Sequence, residues 1–141
     1  AFGTGAEAEL VERLHADAGA AIALVAEVEA RIVGHVLFSR MAAPFRALGL
    51  GPVSVLPPRQ RSGIGSALVR AGLVRARQEG WDAVFVLGDP AYYGRFGFTV
   101  EAAAPFLCAY SGPHFMALAL GGGMPGVGGE IAYAPAFAAL G

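Results

Sequence analysis

The sequence predicts an α+β fold in which a mostly antiparallel sheet contains one parallel strand–helix–strand unit. Apolar, β-rich runs at residues 21–27 and 32–40 flank a short polar turn, which is the pattern of an antiparallel hairpin. A further strand at residues 45–55 precedes a helical stripe and then an apolar run at residues 83–87. Strand, helix and strand in this order imply a right-handed crossover between parallel strands.

Composition favours one domain and excludes several classes of function. A chain of 141 residues with 55% hydrophobic content can bury one core and is short for two ordinary domains, so residues 1–141 are predicted to form a single domain. A net charge of −1 argues against nucleic-acid partners. Cys108 is the only cysteine, which excludes an internal disulfide and fits a cytoplasmic location. The uncharged segment 102–129 contains three prolines and many glycines, so no membrane span is expected.

The remaining elements are assigned from local patterns. Thr4 and Glu7 have capping-box spacing ahead of Leu10, Val11 and Leu14, which predicts an amphipathic helix over residues 5–16. Gly49 and Gly51 within the third strand predict a bulge or a close backbone approach. An aromatic stretch at 91–98 predicts a short helix ending near a glycine, followed by a strand at 115–120, a glycine-rich connection at 121–129 and a last strand or tail at 130–137.

The stretch from residue 48 to residue 65 is the best candidate for a binding site. Val53 and Val55 alternate along a strand, two prolines end it, and Gly63 and Gly65 flank the start of a helical pattern that runs to a capping Gly80. A helix start exposes unpaired N–H groups and the positive end of the helix dipole, and glycines let an anion approach the backbone. A phosphate site is therefore predicted.

Three phosphate-binding motifs compete for this turn. A P-loop needs a lysine, and the chain has none. A dinucleotide fingerprint needs a third glycine, where this chain has Leu68. The third is Q-x-x-G-x-G at residues 60–65, which resembles the acetyl-coenzyme A (acetyl-CoA) pyrophosphate loop of the GNAT superfamily of N-acetyltransferases.

A second motif supports this resemblance. Tyr93, Gly97 and Phe98 match the superfamily's Y-x-x-x-G-F element on the helix after the next strand. The segments 86–98 and 129–137 also resemble a subgroup of small bacterial acetyltransferases. The resemblance implies a GNAT-like, mostly antiparallel, twisted central sheet with helices on both faces and the acyl-CoA loop on its parallel unit.

The resemblance also assigns site residues. Those implied to bind the coenzyme are Val53, Ser54, Val55, Gln60, Arg61, Ser62, Gly63, Ile64, Gly65, Ser66, Tyr93 and Phe96. Tyr93 matches the family's proton donor to the departing thiolate. Tyr92 ranks second. The family's usual glutamate base is missing, since residues 42–59 hold no acidic residue, and Asp89 is the candidate base, with a helix cap or a water relay as alternatives. His35, Glu101, Cys108 and His114 are weaker candidates.

The implied partners are acetyl-CoA and a primary amine on a small molecule or protein, with no nucleic acid, membrane or metal. The resemblance is also compatible with a homodimer. The alternatives are a non-catalytic acyl-CoA-binding or regulatory module and, more remotely, a dinucleotide-binding domain. The resemblance also implies a strand and a helix that open the family's fold ahead of residues 5–16, and this chain is expected to lack them. Phe96, Phe106 and Tyr110 are predicted to give the acceptor site a partly apolar lining.

Overall fold

The protein is described by a computed structural model that covers residues 9–12, 20–60 and 62–133. These residues form nine strands and three α-helices, which are, in chain order, β1 (Glu9–Glu12), β2 (Ala20–Val28), β3 (Arg31–Ala42), β4 (Ala47–Val55), α1 (Ile64–Gln78), β5 (Ala83–Leu87), α2 (Pro90–Tyr93), α3 (Val100–Ala103), β6 (Phe106–Leu107), β7 (Phe115–Ala119), β8 (Gly129–Glu130) and β9 (Ala132–Tyr133). Short 3₁₀ turns follow β4 and α2.

The main sheet is mixed, as predicted. Its spatial order is β1-β2-β3-β4-β5-β7, and β9 pairs with the end of β3. Within it β4 and β5 are parallel, whereas its other neighbouring strands are antiparallel. The small strands β6 and β8 form a separate parallel pair. The predicted α+β class with one parallel strand–helix–strand unit in the central sheet is therefore confirmed.

The β2–β3 hairpin turns through two residues in a left-handed conformation. Glu29 and Ala30 have φ values of 51° and 66°. Positive φ at both central positions defines a type I′ turn, whose twist matches that of the strands it joins. The predicted hairpin is confirmed.

Helix α1 connects the two parallel strands and covers one face of the sheet. Its buried side chains include Ile64, Leu68 and Leu73, which pack in a cluster with Val36 and Phe38 of β3. Its boundaries, the capping Gly80 at φ 78° and strand β5 all match the predictions. The apolar stripe of α1 thus fixes the position of the turn that precedes it.

A second cluster lies on the opposite face. Residues alternate along β5, so that Val84 and Val86 join the α1 cluster while Ala83 and Phe85 join the other. Ala103 of α3 packs in this second cluster. Helices therefore cover both faces of the sheet, as the resemblance implied.

The two glycines of β4 have the roles predicted for them. Pairing between β3 and β4 steps from Val36–Val53 to Phe38–Leu50, which leaves one extra residue on β4 in the stretch containing Gly51. At Gly49 a Cβ atom would overlap the ring of Tyr133. Gly51 therefore lies at a bulge and Gly49 at a close approach.

The predicted helix over residues 5–16 is wrong at residues 9–12, which form β1, and its other residues lie outside the described ones. Strand β1 pairs antiparallel with β2, and Leu10 packs partly buried against the α1 cluster. As a strand, β1 pairs with N–H and C=O groups on the edge of β2 that a helix at these residues would leave unpaired, so tertiary context overrides the local helical pattern.

The C-terminal third mixes confirmed and unpredicted elements. Strand β7 is confirmed, and the short helix at 91–98 appears as α2 followed by a 3₁₀ turn that ends at Gly97, φ 101°. Helix α3 and strand β6 are not among the predicted elements. The predicted last strand is present as β9, and residues 134–137 lie outside the described part. Across the described ranges, no helix is both long and apolar enough to span a membrane.

Candidate active site

The site begins where strand β4 parts from its parallel neighbour. The β4–β5 pairing covers Ala47–Leu50 of β4 only, whereas β3 follows β4 as far as Val55. In the described part of the chain, the β4 edge at residues 51–55 that faces away from β3 therefore has no strand beside it. Val53 and Val55 lie along this stretch and line a cavity. An open edge of this kind offers backbone N–H and C=O groups to an extended ligand.

The start of α1 forms one wall of the cavity. Gly63 has φ 89°, a conformation that favours glycine, and its carbonyl accepts the first helical hydrogen bond, from Ala67 N–H at 3.0 Å. The N–H groups of residues 64–66 precede that bond and lack an intrahelical acceptor. They lie at the positive end of a fifteen-residue helix. This wall is suited to an anion.

The loop between β4 and α1 is closed by a side chain. Gln60 donates from Nε2 to the carbonyl of Val55 at 3.0 Å, and it lines the cavity. The glutamine of the Q-x-x-G-x-G motif therefore ties the loop to the end of the strand. The amide thus holds the loop in place, since it joins the two elements that meet at the site.

Helix α2 forms the facing wall. The Asp89 carboxylate accepts a hydrogen bond from Ala91 N–H at 2.9 Å, and Pro90 occupies the first helical position, so the sequence starts a helix here. Tyr92 and Tyr93 pack edge to face with ring centroids 4.9 Å apart, and both line the cavity. Burial, and then the neighbouring Tyr92, raise the pKa of Tyr93 above its ordinary 10.0. Its hydroxyl is therefore protonated at neutral pH.

The Tyr93 ring is held by close packing on several sides. It lies against Gly88, where a Cβ atom would overlap it, and against Phe98 with centroids 6.0 Å apart. Gly88 in turn is fixed at the end of β5 by its N–H bond to the His114 carbonyl at 2.9 Å. The position of the tyrosine thus depends on a glycine at the strand end.

Together these walls enclose a cavity of about 600 Å³. Its lining combines backbone from two glycines, small polar groups, two aromatic rings and one cation. The lining residues are Val53, Val55, Gln60, Gly63, Gly65, Ser66, Tyr92, Tyr93 and Arg95. Such a lining fits a long ligand that is anionic at one end and partly apolar along its length.

Most of the residues implied to bind the coenzyme meet at this cavity. Those that line it are Val53, Val55, Gln60, Gly63, Gly65, Ser66 and Tyr93. Ser54 faces the other side of β4 and its Oγ lies 3.2 Å from His35 Nδ1. The Ile64 side chain is buried in the core, so only its backbone is available. Ser62 and Phe96 are outside the lining, and Arg61 lies outside the described residues.

Two residues that line the cavity, Tyr92 and Arg95, are not among those implied by the resemblance to bind the coenzyme. Tyr92, the second candidate for the proton donor, has its hydroxyl 3.4 Å from Ser66 Oγ at the start of α1. Arg95 did not feature as a site residue, and its Nη2 donates to Ser66 Oγ at 2.9 Å. The signal that could have found Arg95 is its place between Tyr93 and Phe96 in the aromatic motif, on the helical turn that faces the glycine loop.

The candidate bases lie apart from the cavity lining. Asp89 is exposed and caps α2. His114 Nδ1 lies 3.3 Å from the Gly88 carbonyl, which places the imidazole near the end of β5. Glu101 is on α3, and Cys108 packs against the second cluster. Within the described ranges, no group of three His, Cys, Asp or Glu residues is placed to hold a metal ion.

The predicted apolar acceptor lining is not assembled as expected. Phe96 packs against the α1 cluster, whereas Phe106 and Tyr110 belong to the cluster on the opposite face of the sheet. The three aromatic residues therefore do not line a common pocket. Phe106 is buried among Phe45 and Phe85 instead, where it supports the sheet.

Comparison with known sequences gives consistent results. The profile of the acetyltransferase (GNAT) family matches residues 2–98. The chain is 42% identical to the Escherichia coli K12 N-acetyltransferase YjhQ over 106 residues, which are 70% of this chain and 58% of YjhQ. It is 35% identical to the E. coli N-acetyltransferase YhbS over 115 residues, or 79% of this chain and 69% of YhbS. Both relatives are named as uncharacterized, and the chain spans less than two thirds of YjhQ.

Solved structures match the fold. The crystal structure of E. coli YhbS in complex with CoA superposes with a TM-score of 0.86 at 24% identity, covering 99% of this chain and 96% of YhbS. A GNAT family acetyltransferase from Brucella melitensis, in complex with acetyl-CoA, gives a TM-score of 0.70 at 42% identity, covering 84% of this chain and 70% of that one. At this level of identity the second likeness extends beyond the fold to the sequence.

Proposed function

This chain belongs to the acetyltransferase (GNAT) family, and on that premise we propose that it transfers an acetyl group from acetyl-CoA to a primary amine. The observation that supports this most directly is the cavity between the open edge of β4, the start of α1 and Tyr93. One wall suits an anion, one suits an extended amide-bearing chain, and the third supplies a protonated hydroxyl. The acceptor amine and a homodimer remain predictions.

The cavity has the features that acetyl-CoA requires. Its diphosphate would accept hydrogen bonds from the N–H groups of residues 64–66, which Gly63 and Gly65 leave accessible. The amides of the pantetheine arm would pair with the backbone at Val53 and Val55, as an added strand does. The volume of about 600 Å³ lies within the range of small-molecule sites. The coenzyme thus spans from α1 to α2, where Tyr93 lies.

Tyr93 supplies the proton that the leaving group needs. When a neutral amine attacks the thioester carbonyl, a C–N bond forms and the C–S bond breaks, which leaves a thiolate. The Tyr93 hydroxyl, whose pKa burial raises above its ordinary 10.0, is protonated at neutral pH and donates its proton to the sulfur as that bond breaks. A backbone N–H of β4 near Val53 would stabilise the negative charge on the carbonyl oxygen.

The proton released by the amine needs a separate acceptor. We propose Asp89 for this role, either directly or through water, because it lies at the end of β5 four residues before Tyr93. Capping uses its Oδ1, through the bond from Ala91 N–H. Replacement by asparagine keeps the cap and removes the base, so Asp89→Asn separates the two roles.

A second candidate function is a non-catalytic acyl-CoA-binding or regulatory module. The observation in its favour is that the cavity lining, within the described residues, contains neither a carboxylate nor an imidazole. Such a module would use the same coenzyme contacts, so binding alone does not distinguish the two functions. Turnover does.

The test combines binding and chemistry. Calorimetry with CoA and acetyl-CoA measures affinity, and release of free thiol is then followed across a panel of amino acids, polyamines, aromatic amines and peptides with free N-termini. Acetylated product detected by mass spectrometry supports the transferase. Tight coenzyme binding with no thiol release across the panel supports the regulatory module, and absence of coenzyme binding refutes both.

A further inference from the structure

Arg95 occupies a position in the cavity that the family motifs do not explain. It extends from the 3₁₀ turn after α2 across to α1, where its Nη2 donates to Ser66 Oγ at 2.9 Å. Its Nε–H donates to the Tyr92 carbonyl at 3.3 Å. One side chain therefore bridges the two walls between which the coenzyme would lie.

The guanidinium is held in place by aromatic rings. Its Cζ lies 4.5 Å from the centroid of Tyr92 and 5.5 Å from that of Phe96. Stacking on such faces orients the planar group and leaves its edge available for hydrogen bonds. Of the five N–H donors of an arginine, the bonds to Ser66 and Tyr92 use two, which leaves three.

The charge of Arg95 is isolated within the cavity. Among the described lining residues it is the only one that is charged. Its contact with Ser66 puts the guanidinium beside the first turn of α1, whose free N–H groups already favour an anion. A diphosphate at that turn would lie within reach of the remaining donors of Arg95 and would be contacted from both walls.

We propose that Arg95 is a coenzyme-specificity residue that binds the diphosphate of acetyl-CoA opposite the α1 N-terminus. The inference rests on the proposed coenzyme site and adds a side-chain cation to it. A planar guanidinium can contact two phosphate oxygens at once and brings a full positive charge, whereas the backbone N–H groups of α1 bring only partial charges. Arg95 would thereby make affinity depend on the phosphorylated end of the coenzyme, while the pantetheine end contacts β4.

The test compares three ligands that differ in phosphates: CoA, dephospho-CoA, which lacks the 3′-phosphate, and pantetheine, which lacks all of them. The variants are Arg95→Gln and Arg95→Lys. Arg70→Gln is the matched control, because Arg70 also stacks on Phe96, at 4.9 Å, but is outside the cavity lining. Calorimetry gives the Kd of the two nucleotides, and ligand-observed NMR gives that of pantetheine.

We expect Arg95→Gln to weaken CoA and dephospho-CoA alike by about 10-fold to 100-fold, the range of one charged hydrogen-bond contact. Arg95→Lys should recover part of this affinity, and pantetheine binding should be unchanged. The Kd of CoA for the wild type should also rise more steeply with ionic strength than that of Arg95→Gln. Arg70→Gln should bind all three ligands as the wild type does.

Other outcomes overturn the inference in distinct ways. An equal loss of CoA and pantetheine affinity would make Arg95 a structural bridge between α1 and α2. A loss for CoA without a loss for dephospho-CoA would assign it to the 3′-phosphate. Unchanged affinity for all ligands would remove it from the site. A wild-type protein that binds no CoA would refute the proposed function itself. If the wild type binds CoA and the Arg95 variants bind it equally well, only the role of Arg95 is refuted.

Discussion

Substituting Gly88 by alanine is expected to displace the Tyr93 ring. Gly88 does not adopt a positive φ, so alanine is compatible with its backbone. The added Cβ would overlap Tyr93 Cε2 and lie 2.9 Å from Cδ2, whereas ordinary contact begins at 3.4 Å. To relieve the Cδ2 contact, the ring must move by 0.5 Å (3.4 minus 2.9), and to relieve the closer Cε2 overlap it must move by about 1 Å. A displacement of about 1 Å of a catalytic group can lower the rate about 100-fold.

The expected result is a loss of about 100-fold in kcat with a much smaller change in coenzyme affinity, since the contacts from β4 and α1 are untouched. Stability should fall by about 1–3 kcal/mol from overpacking. The assay is thiol release with an amine identified in the screen, together with CoA calorimetry and thermal unfolding. Gly94→Ala is the matched control, because a Cβ there would meet nothing within 4 Å and its φ of −57° is helical.

A double-mutant cycle tests whether the loss passes through the hydroxyl. Tyr93→Phe alone should lower kcat by at least about 100-fold, as expected on removing an acid catalyst. Adding Gly88→Ala to Tyr93→Phe should then cost little more, because the displaced ring no longer holds a proton. The reasoning would be refuted by a folded Gly88→Ala variant with full activity, or by an equal further loss in the phenylalanine background.

Three further predictions concern coenzyme approach, packing and pH. Gly65→Ala should raise stability by about 0.5–1 kcal/mol, because its Cβ would lie 3.4 Å from Tyr92 Oη without a clash. The same Cβ should lower CoA affinity, because it obstructs the approach to the start of α1. Unchanged CoA affinity in calorimetry would count against the proposed coenzyme site. Gly72→Ala should destabilise the protein, because the new Cβ would overlap the ring of Phe38. Overpacking costs about 1–3 kcal/mol, whereas the better helix propensity of alanine contributes about 1 kcal/mol. A more stable variant in chemical denaturation would contradict this prediction. Burial, with Cys108 and Tyr110, raises the pKa of Tyr133 in the folded state above 10.0. Its contribution to stability is therefore complete below pH 10.0 and declines as the pH rises above that value. The stability of Tyr133→Phe should fall less steeply with alkaline pH than that of the wild type, and an identical pH dependence would show that this tyrosine does not contribute to it.

Local sequence signals predicted the elements that local physics determines. The β2–β3 hairpin, the start of α1 at Gly63 and strand β5 follow from alternation, glycine placement and helical periodicity. The position of the cavity follows as well, because Q-x-x-G-x-G precedes α1 and Y-x-x-x-G-F begins in α2, which are two of the three elements that form its walls. These features depend on a few residues close in sequence.

Features that depend on distant residues were not predictable in the same way. Leu10 lies in a strand because β2 offers it an edge, which its own neighbours in sequence do not reveal. Arg95 reaches Ser66 across 29 positions, and no local pattern encodes that contact. Phe96 and Phe106 were predicted from sequence to share one aromatic lining, yet Phe96, in the 3₁₀ turn after α2, packs against the α1 cluster, and Phe106, in β6, packs in the cluster on the other face.

The separation of β4 from β5 also bears on edge-to-edge aggregation. An unpaired strand edge can recruit the edge of another chain and so begin aggregation. Here the exposed stretch is short, Pro52 within it has no N–H to donate, and Pro57 follows soon after it. A ligand whose amides pair with Val53 and Val55 would occupy the same edge. While bound, the coenzyme would therefore block this edge from pairing with the sheet edge of a second copy of the chain.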